Sequence, residues 1–201
     1  SDLTGSGGGS ANGGGIAGST GTGGSPGAGG SSGSGGSPGA GGSPGAGGSS
    51  PINVVPRIVG LDTRGGHSCT LLDNGAVRCW GRNDFGQLGY GTTATIGDDE
   101  SADSAGSVQL GARAVSISVG VSHTCALLDS GAVRCWGRNA YGQLGTLSYE
   151  NIGDNELPTA GVDVDLGGKV TKLAAGGEHT CALLDSGAVR CWGLNVHGQL
   201  G

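Results

Sequence analysis

Six cysteines and three histidines recur in one arrangement. His67-Ser68-Cys69 precedes Cys79, His123-Thr124-Cys125 precedes Cys135, and His179-Thr180-Cys181 precedes Cys191. Each set can form a disulfide, keep two buried thiols, or offer ligands to a metal. C-x9-C is not a zinc spacing, and with its histidine each set supplies at most three ligands, so no metal is expected. A redox centre would want a short C-x-x-C. The second set of reactive groups is acidic: Asp98, Asp99 and Glu100, with Asp103 nearby and Asp154-Asn155-Glu156 as a counterpart. Several carboxylates on a tight loop suit calcium, but the oxygen spacing matches neither an EF-hand nor a nonapeptide repeat. A solvated loop and a strand-end cap stand beside that reading. No G-x-S-x-G elbow lies between a strand and a helix, and no glycine-rich segment carries the lysine of a phosphate loop. No catalytic residue and no cofactor are therefore expected.

The elements that position these groups come from an internal repeat of 56 residues. HTCALLDSGAVRCWG at 123–137 recurs unchanged at 179–193, and the copy at 67–81 differs only at Ser68, Thr70 and Asn74. Each copy runs into N-x-x-G-Q-L-G, at 83–89, 139–145 and 195–201. Val115, Ile117 and Val119 alternate with small residues, as in a strand. Thr124–Leu128 and Ala132–Trp136 flank Asp129-Ser130-Gly131, a three-residue hairpin loop with glycine where φ must be positive. Val162–Leu166 alternates as a further edge strand, with Val108–Leu110 as its counterpart. Four short strands per repeat predict the blade of a β-propeller. The hairpin register pairs Leu72 with Ala76, Leu71 with Val77, Thr70 with Arg78 and Cys69 with Cys79. Opposite residues lie about 4.5–5.5 Å apart at Cα, within disulfide range. The expected disulfides are Cys69–Cys79, Cys125–Cys135 and Cys181–Cys191, each contributing about 2.5–3 kcal/mol; buried free thiols are the rival. Disulfides would place the chain in an oxidising compartment.

Residues repeated in every unit read as structural. His67, His123 and His179 are expected to satisfy the same backbone groups in each blade. Arg78, Arg134 and Arg190 are expected either to ring one face with positive charge or to bond Asp73, Asp129 and Asp185 between blades. Asn83, Asn139 and Asn195, with Gln87, Gln143 and Gln199, are expected to tie turns between blades. Trp80, Trp136 and Trp192, each followed by Gly81, Gly137 or Gly193, read as blade core. Phe85, Tyr141 and His197 share one variable slot in N-x-x-G-Q-L-G. Together with Asp98, Asp99 and Glu100 they are the candidate partner-binding residues, because blade loops are where such a fold varies its contacts.

Composition separates a second region. Of 49 glycines among 201 residues, 23 lie in residues 1–50, where the octet GGSPGAGG occurs three times. That segment has too little apolar side chain to offset its ordering entropy, and no three-residue glycine period. It reads as a flexible tether of about 35–42 Å root-mean-square span. The expected divisions are a tether over 1–56, repeats over 57–112 and 113–168, and a truncated third over 169–201. The net charge of −6 argues against a nucleic-acid partner, and no apolar run is long enough for a transmembrane helix. With no methionine in the chain, Ser1 is expected to be a processed or fragment end. Open sheet edges in a partial propeller are expected to leave the chain poorly stable unless it associates or continues.

The pattern G-x-x-H-[ST]-C-x-L-L-D-x-G-A-V-R-C-W-G-x-N-x-x-G-Q-L-G resembles the regulator of chromosome condensation repeat family. His123, Leu127, Gly131, Val133, Trp136, Gly137, Asn139, Gly142, Gln143, Leu144 and Gly145 carry the resemblance, with their equivalents 56 residues either side. Two cysteines per unit look like the bacterial, exported branch. The resemblance implies an all-β partial propeller of about two and a half four-stranded blades. It also implies several activities: nucleotide exchange on a small GTPase with chromatin docking, inhibition of a secreted enzyme, and ultraviolet sensing through clustered tryptophans. No exchange-factor insertion is visible, and the tryptophans occur once per unit. The expected function is a non-catalytic binding or display module at the bacterial cell surface, contacting a protein through blade loops. The alternative is a regulator of an enzyme, as exchange factor or protein inhibitor. Any membrane association is expected only through a lipid anchor upstream of Ser1, and further blades are expected in a full-length chain.

Overall fold

The computed structural model describes residues 55–201, so the tether expected over 1–56 lies outside them except for Val55 and Pro56. Among the described residues, nine strands form three antiparallel sheets of three. The first sheet holds β1 (Ile58–Arg64), β2 (His67–Leu72) and β3 (Val77–Gly81). The second holds β4 (Ala114–Val119), β5 (His123–Leu128) and β6 (Val133–Gly137). The third holds β7 (Val170–Ala175), β8 (His179–Leu184) and β9 (Val189–Gly193). β4 packs on β1 and β2, and β7 on β4 and β5. Arg64 Nη1 reaches past the second repeat to donate to Ala175 O at 3.2 Å, so β1, β4 and β7 gather on one side.

Each hairpin forms at its expected register. Leu71 faces Val77, Thr70 faces Arg78 and Cys69 faces Cys79, with the same pairs in the other two repeats. Gly75, Gly131 and Gly187 turn the loops at φ 83°, 86° and 84°, a conformation that a β-carbon would penalise. The Cα atoms of the cysteine pairs are 4.1, 4.0 and 4.1 Å apart, closer than the register alone suggests, and the sulfurs are at bonding distance. Cys79 shows why. Its N–H and C=O point away from β2, to the Tyr90 hydroxyl at 3.1 and 3.2 Å. It therefore sits at a non-hydrogen-bonded rung, where facing side chains approach most closely.

Two expectations about the strands change. The fourth strand is reduced to a single bridge, Val133 with Val164, and to Val108 N–H donating to Val77 O at 2.8 Å in the first repeat. Gly111 and Gly167, at φ 67° and 72°, turn the chain away before a ladder can extend. Val115 does not keep the alternation of Ile117 and Val119. It sits at a bulge between Ala114 and Ser116 and faces solvent, because the extra residue shifts the period by one.

One apolar cluster runs through all three repeats, from Cys69, Leu71 and Val77 through Trp136 to Leu173 and Leu184. Along each middle strand, the histidine, cysteine and first leucine lie on the side of the next repeat, while the threonine or serine and the second leucine lie on the side of the previous one. The first two disulfides, each within its own hairpin, are therefore covered by the following repeat. Cys69–Cys79 and Cys125–Cys135 are sealed, with at most 3% exposure, whereas Cys181 and Cys191 are half-buried. Thiolate attack needs access. Mild reductant without denaturant is expected to open Cys181–Cys191 first. The other two should lag by about tenfold or more, since exposing them means separating packed repeats. Mass spectrometry of alkylated peptides over time reads the order.

Candidate functional site: the joints and the turn face

The repeated polar residues are consumed at the joints between repeats. His67 Nε2 lies 2.9 Å from the Thr124 hydroxyl of the next repeat, and that hydroxyl donates to Gln87 O at 2.9 Å. A hydroxyl has one proton. Thr124 must therefore accept from His67 Nε2–H. The indole N–H of Trp136 donates to the same Gln87 carbonyl at 2.9 Å. The second joint repeats the pattern, with His123 3.0 Å from Thr180 and with Thr180 and Trp192 donating to Gln143 O at 3.0 and 2.9 Å. A β-carbon at Gly89 would stand 2.7 Å from Trp136 Nε1, and one at Gly145 2.8 Å from Trp192 Nε1. The last glycine of N-x-x-G-Q-L-G is thus the seat of the next repeat's tryptophan.

Several expected roles are redistributed by this geometry. His67 and His123 bond a hydroxyl of the neighbouring repeat instead of backbone groups within their own. Nδ1 of His67 and of His123 is buried without a partner. Burial lowers both imidazoles to a pKa of about 4, with the Asp62 charge partly opposing at His67 and the neighbouring histidines adding to the effect at His123. The tryptophans are joint residues as well as core. Asparagine works inside its own repeat: Asn83 Nδ2 donates to Thr92 O and Ala94 O, both at 2.8 Å, and its Oδ1 accepts Leu88 N–H. Asn139 does the same with Ser148 O and Leu144 N–H, and Asn195 Oδ1 accepts Leu200 N–H. The glutamine side chains close the turn itself, as Gln87, Gln143 and Gln199 accept the N–H of Phe85, Tyr141 and His197. The glutamine main chain crosses between repeats at both joints, and at Gln143 the side-chain Nε2 crosses as well, to Glu178. Arg78 and Arg134 pair with Asp103 and Asp163 at 2.8 and 2.7 Å, not with Asp73 or Asp129. The hairpin aspartates lie at the far end of the strands. Among the described residues, Arg190 bonds only Val189 O.

One cluster is built largely from residues that vary among the repeats. The Arg138 guanidinium stacks between Phe85 at 5.1 Å and Tyr141 at 5.2 Å, and pairs with Glu178 at 3.2 Å. Glu178 also accepts from Gln143 Nε2. Phe85, Arg138 with Tyr141, and Glu178 come from three successive repeats. Ser122 and Gly66 stand where Glu178 would recur, and Leu194 stands where Arg138 would recur. Phe85 and Tyr141, singled out in sequence as a variable slot, are thereby brought to one face. His197 is exposed beside the third turn, outside the stack. Arg138 and Glu178 escape the sequence reading. The signal for them was the change from Arg82 and Arg138 to Leu194 just before the motif asparagine.

The acidic loop is a separate feature. The carboxylates of Asp98, Asp99 and Glu100 converge within 4.8 Å, all exposed. Glu100 accepts Gly97 N–H at 3.0 Å, and Glu156 accepts Gly153 N–H at 3.3 Å in the counterpart. A hydrogen bond between Asp99 and Glu100 raises the former's pKa and lowers the latter's. One of the three carboxylates is thus spent on its own turn.

Comparison with known proteins accords with this architecture. The family described as "Regulator of chromosome condensation (RCC1) repeat" matches residues 65–87, 114–143 and 170–199 through one family model, and 130–183 through another. The human probable E3 ubiquitin-protein ligase HERC4 is 36% identical over 135 residues, covering 67% of this chain and 12% of the ligase. The Arabidopsis thaliana ultraviolet-B receptor UVR8 is 34% identical over 152 residues, covering 75% of this chain and 33% of the receptor. The chain therefore spans a third or less of these curated relatives. Among solved structures, human WBSCR16 overlays 70% of the chain with a TM-score of 0.56 at 23% identity, covering 35% of that protein. Yeast RCC1 (Prp20) bound to Kap60 overlays 69% with a TM-score of 0.53 at 21% identity, covering 32%. At those identities the likeness concerns the fold.

Proposed function

Because the chain belongs to the regulator of chromosome condensation (RCC1) repeat family, we propose that it is a non-catalytic protein-binding module displayed at the bacterial cell surface, holding its partner through the turns at one end of its blades. The observation that carries this reading is the Phe85–Arg138–Tyr141 stack with Glu178. Among the described residues, it alone draws on three repeats with residues the repeat does not require. A guanidinium between two aromatic rings, with a carboxylate beside it, offers flat apolar area and charge together, the composition favoured at protein interfaces. The histidines and tryptophans of the two internal joints are occupied there, and the repeated asparagines and glutamines are occupied in their turns, which supports a structural role for them. A solved relative by fold is described as bound to Kap60 and another by its binding to Gsp1p and histones, which supports protein partners for this chain too. Three disulfides support an oxidising compartment. They weigh against the cytosolic exchange-factor form of enzyme regulation, although an exported inhibitor would keep them.

The test has two arms. Cross-linking capture on intact source cells should recover a surface partner with the full chain. It should lose that partner, with the melting curve unchanged, when Phe85 and Tyr141 are both replaced by serine. A chain inaccessible to a membrane-impermeant label, carrying six free thiols when denatured unreduced, would sink the reading.

A further inference from the structure

The two internal joints differ at one place beside the turn face. In the second joint, the Glu178 carboxylate accepts from Arg138 Nη1 at 3.2 Å and from Gln143 Nε2. In the first joint both donors recur, as Arg82 and Gln87, but Ser122 stands in the place of Glu178. The backbone there is the same. A β-carbon at Gly137 would stand 3.1 Å from Gln87 Cα and 2.6 Å from Ser122 O, and one at Gly193 would stand 3.2 Å from Gln143 Cα and 2.7 Å from Glu178 O. The amide is also held the same way round. Gln87 Oε1 accepts Phe85 N–H at 2.9 Å, as Gln143 Oε1 accepts Tyr141 N–H at 2.9 Å. Nε2 of Gln87 is therefore the atom turned toward position 122. It is buried and has no partner among the described residues. A buried donor left unpaired costs free energy that an incoming acceptor recovers. His123 Nδ1 is unpaired as well, but a β-carbon at Gly120 would stand 2.4 Å from it, so that atom is walled off. Arg82 is compensated within its own turn. Its Nε and Nη2 hold Asp84 at 2.6 Å, in an exposed pair. Ala140 takes that position in the second repeat, which leaves Arg138 free to cross to Glu178. Arg82 Nη1, the counterpart of the atom that Arg138 gives to Glu178, bonds nothing among the described residues.

We propose that the first joint is a carboxylate site, filled by an aspartate or glutamate side chain of the protein bound at the turn face. The inference rests on the reading of that face as a protein-binding surface and names what the partner must bring. The incoming carboxylate accepts from Gln87 Nε2 and the Ser122 hydroxyl and pairs with Arg82 Nη1. Glu178 shows what this donor set holds when the chain supplies the acid itself. An ionised carboxylate only accepts, which matches an amide, a hydroxyl and a guanidinium that all have protons to give. Bonds of this charge-assisted kind are the stronger class. An exposed pair such as Arg82–Asp84 contributes little, so turning Nη1 toward the joint costs little. The site adjoins the aromatic stack, because the Gln87 side chain holds the N–H of Phe85. One acidic segment of a partner thus reaches both.

Sodium acetate is the probe, and the isotope-labelled full 201-residue chain is the sample. At constant ionic strength, the side-chain amide resonances of Gln87 should shift with acetate and saturate in the millimolar range. Those of Gln143, already paired with Glu178, should stay in place. Ser122→Glu supplies the carboxylate from within the chain. It should move the Gln87 resonances toward those of Gln143 and abolish the response to acetate. It should also weaken capture of the surface partner by about tenfold or more, the worth of one charge-assisted bond. Gln87 resonances indifferent to acetate overturn the proposal. So does a response equal at Gln143, or one that Ser122→Glu retains. If acetate binds but Ser122→Glu captures the partner as well as the parent does, the site takes a free carboxylate and the partner's side chain is overturned as its occupant. A parent that recovers no surface partner overturns the turn-face reading, and that occupant with it, while the acetate response decides the site by itself.

Discussion

Replacing Trp136 with alanine is expected to destabilise the chain by about 3–5 kcal/mol, the range for removing a fully buried large aromatic residue. Trp136 has 0% exposure and lies at the centre of the apolar cluster. The loss would have three parts: apolar burial, a cavity between two repeats above Gly89, and the indole bond to Gln87 O. Trp136→Phe separates them. It keeps most of the volume and leaves Gln87 O with its Thr124 partner, so about 1–1.5 kcal/mol should be lost. Urea unfolding followed by circular dichroism measures both. Trp80→Ala is the internal control, because the same residue type half-exposed at an outer face should cost clearly less. Equal losses at Trp80 and Trp136 would show that the joint, and not the sheet, had been misassigned.

Acidification should have the second large effect. Unfolded histidine binds its proton near pH 6.5, while His67 and His123 remain neutral in the folded chain until about pH 4. Between those values the unfolded state holds more protons, so stability falls as pH falls. It should be level above about 6.5 on the histidines' account, decline to about 4 and flatten below. The span corresponds to roughly 3 kcal/mol for each buried histidine, a large share of the total for a small domain. The physical event is the forced charging of a ring whose Nδ1 has no partner and whose Nε2–H is already committed to threonine. Urea midpoints at pH 7, 5.5 and 4.5 read the slope. His123→Gln, although less stable at neutral pH, should show a visibly shallower decline. A stability profile unchanged by that substitution would mean that carboxylates alone drive acid unfolding.

These joints also mark where sequence reading stopped. The hairpins were legible because their determinants are local. A three-residue loop with glycine at a positive φ fixes a register, and the register brings each cysteine opposite its partner. The family resemblance was legible because three copies in phase leave little to chance. The joint was not. Trp136 and Gln87 lie 49 residues apart, and the acceptor is a main-chain carbonyl, which has no side-chain signature. Histidine, glutamine and tryptophan were each recognised as structural, but their assignments had to be exchanged once the repeats stood face to face. The fourth strand was overread because Val162–Leu166 alternates correctly, and alternation does not reveal that the following glycine ends the pairing. At the turn face, the slot holding Phe85 and Tyr141 was visible as variation. Arg138 and Glu178 were not, since an ion pair between separate repeats depends on a packing that periodicity does not supply.

The placement of the three disulfides within hairpins has a mechanical consequence. No covalent bond crosses from one repeat to the next except the main chain, so a pull applied at the two ends loads the hydrogen-bonded joints and the apolar contacts first. Each hairpin is a closed ring that cannot lengthen. A separation of ten residues between linked cysteines leaves about 46 of the 56 residues of a repeat free to pay out, or about 150–165 Å of contour at full extension. Under load the array would yield repeat by repeat. Each repeat would keep a sulfur-locked hairpin from which its strands can rewind once the tension is released.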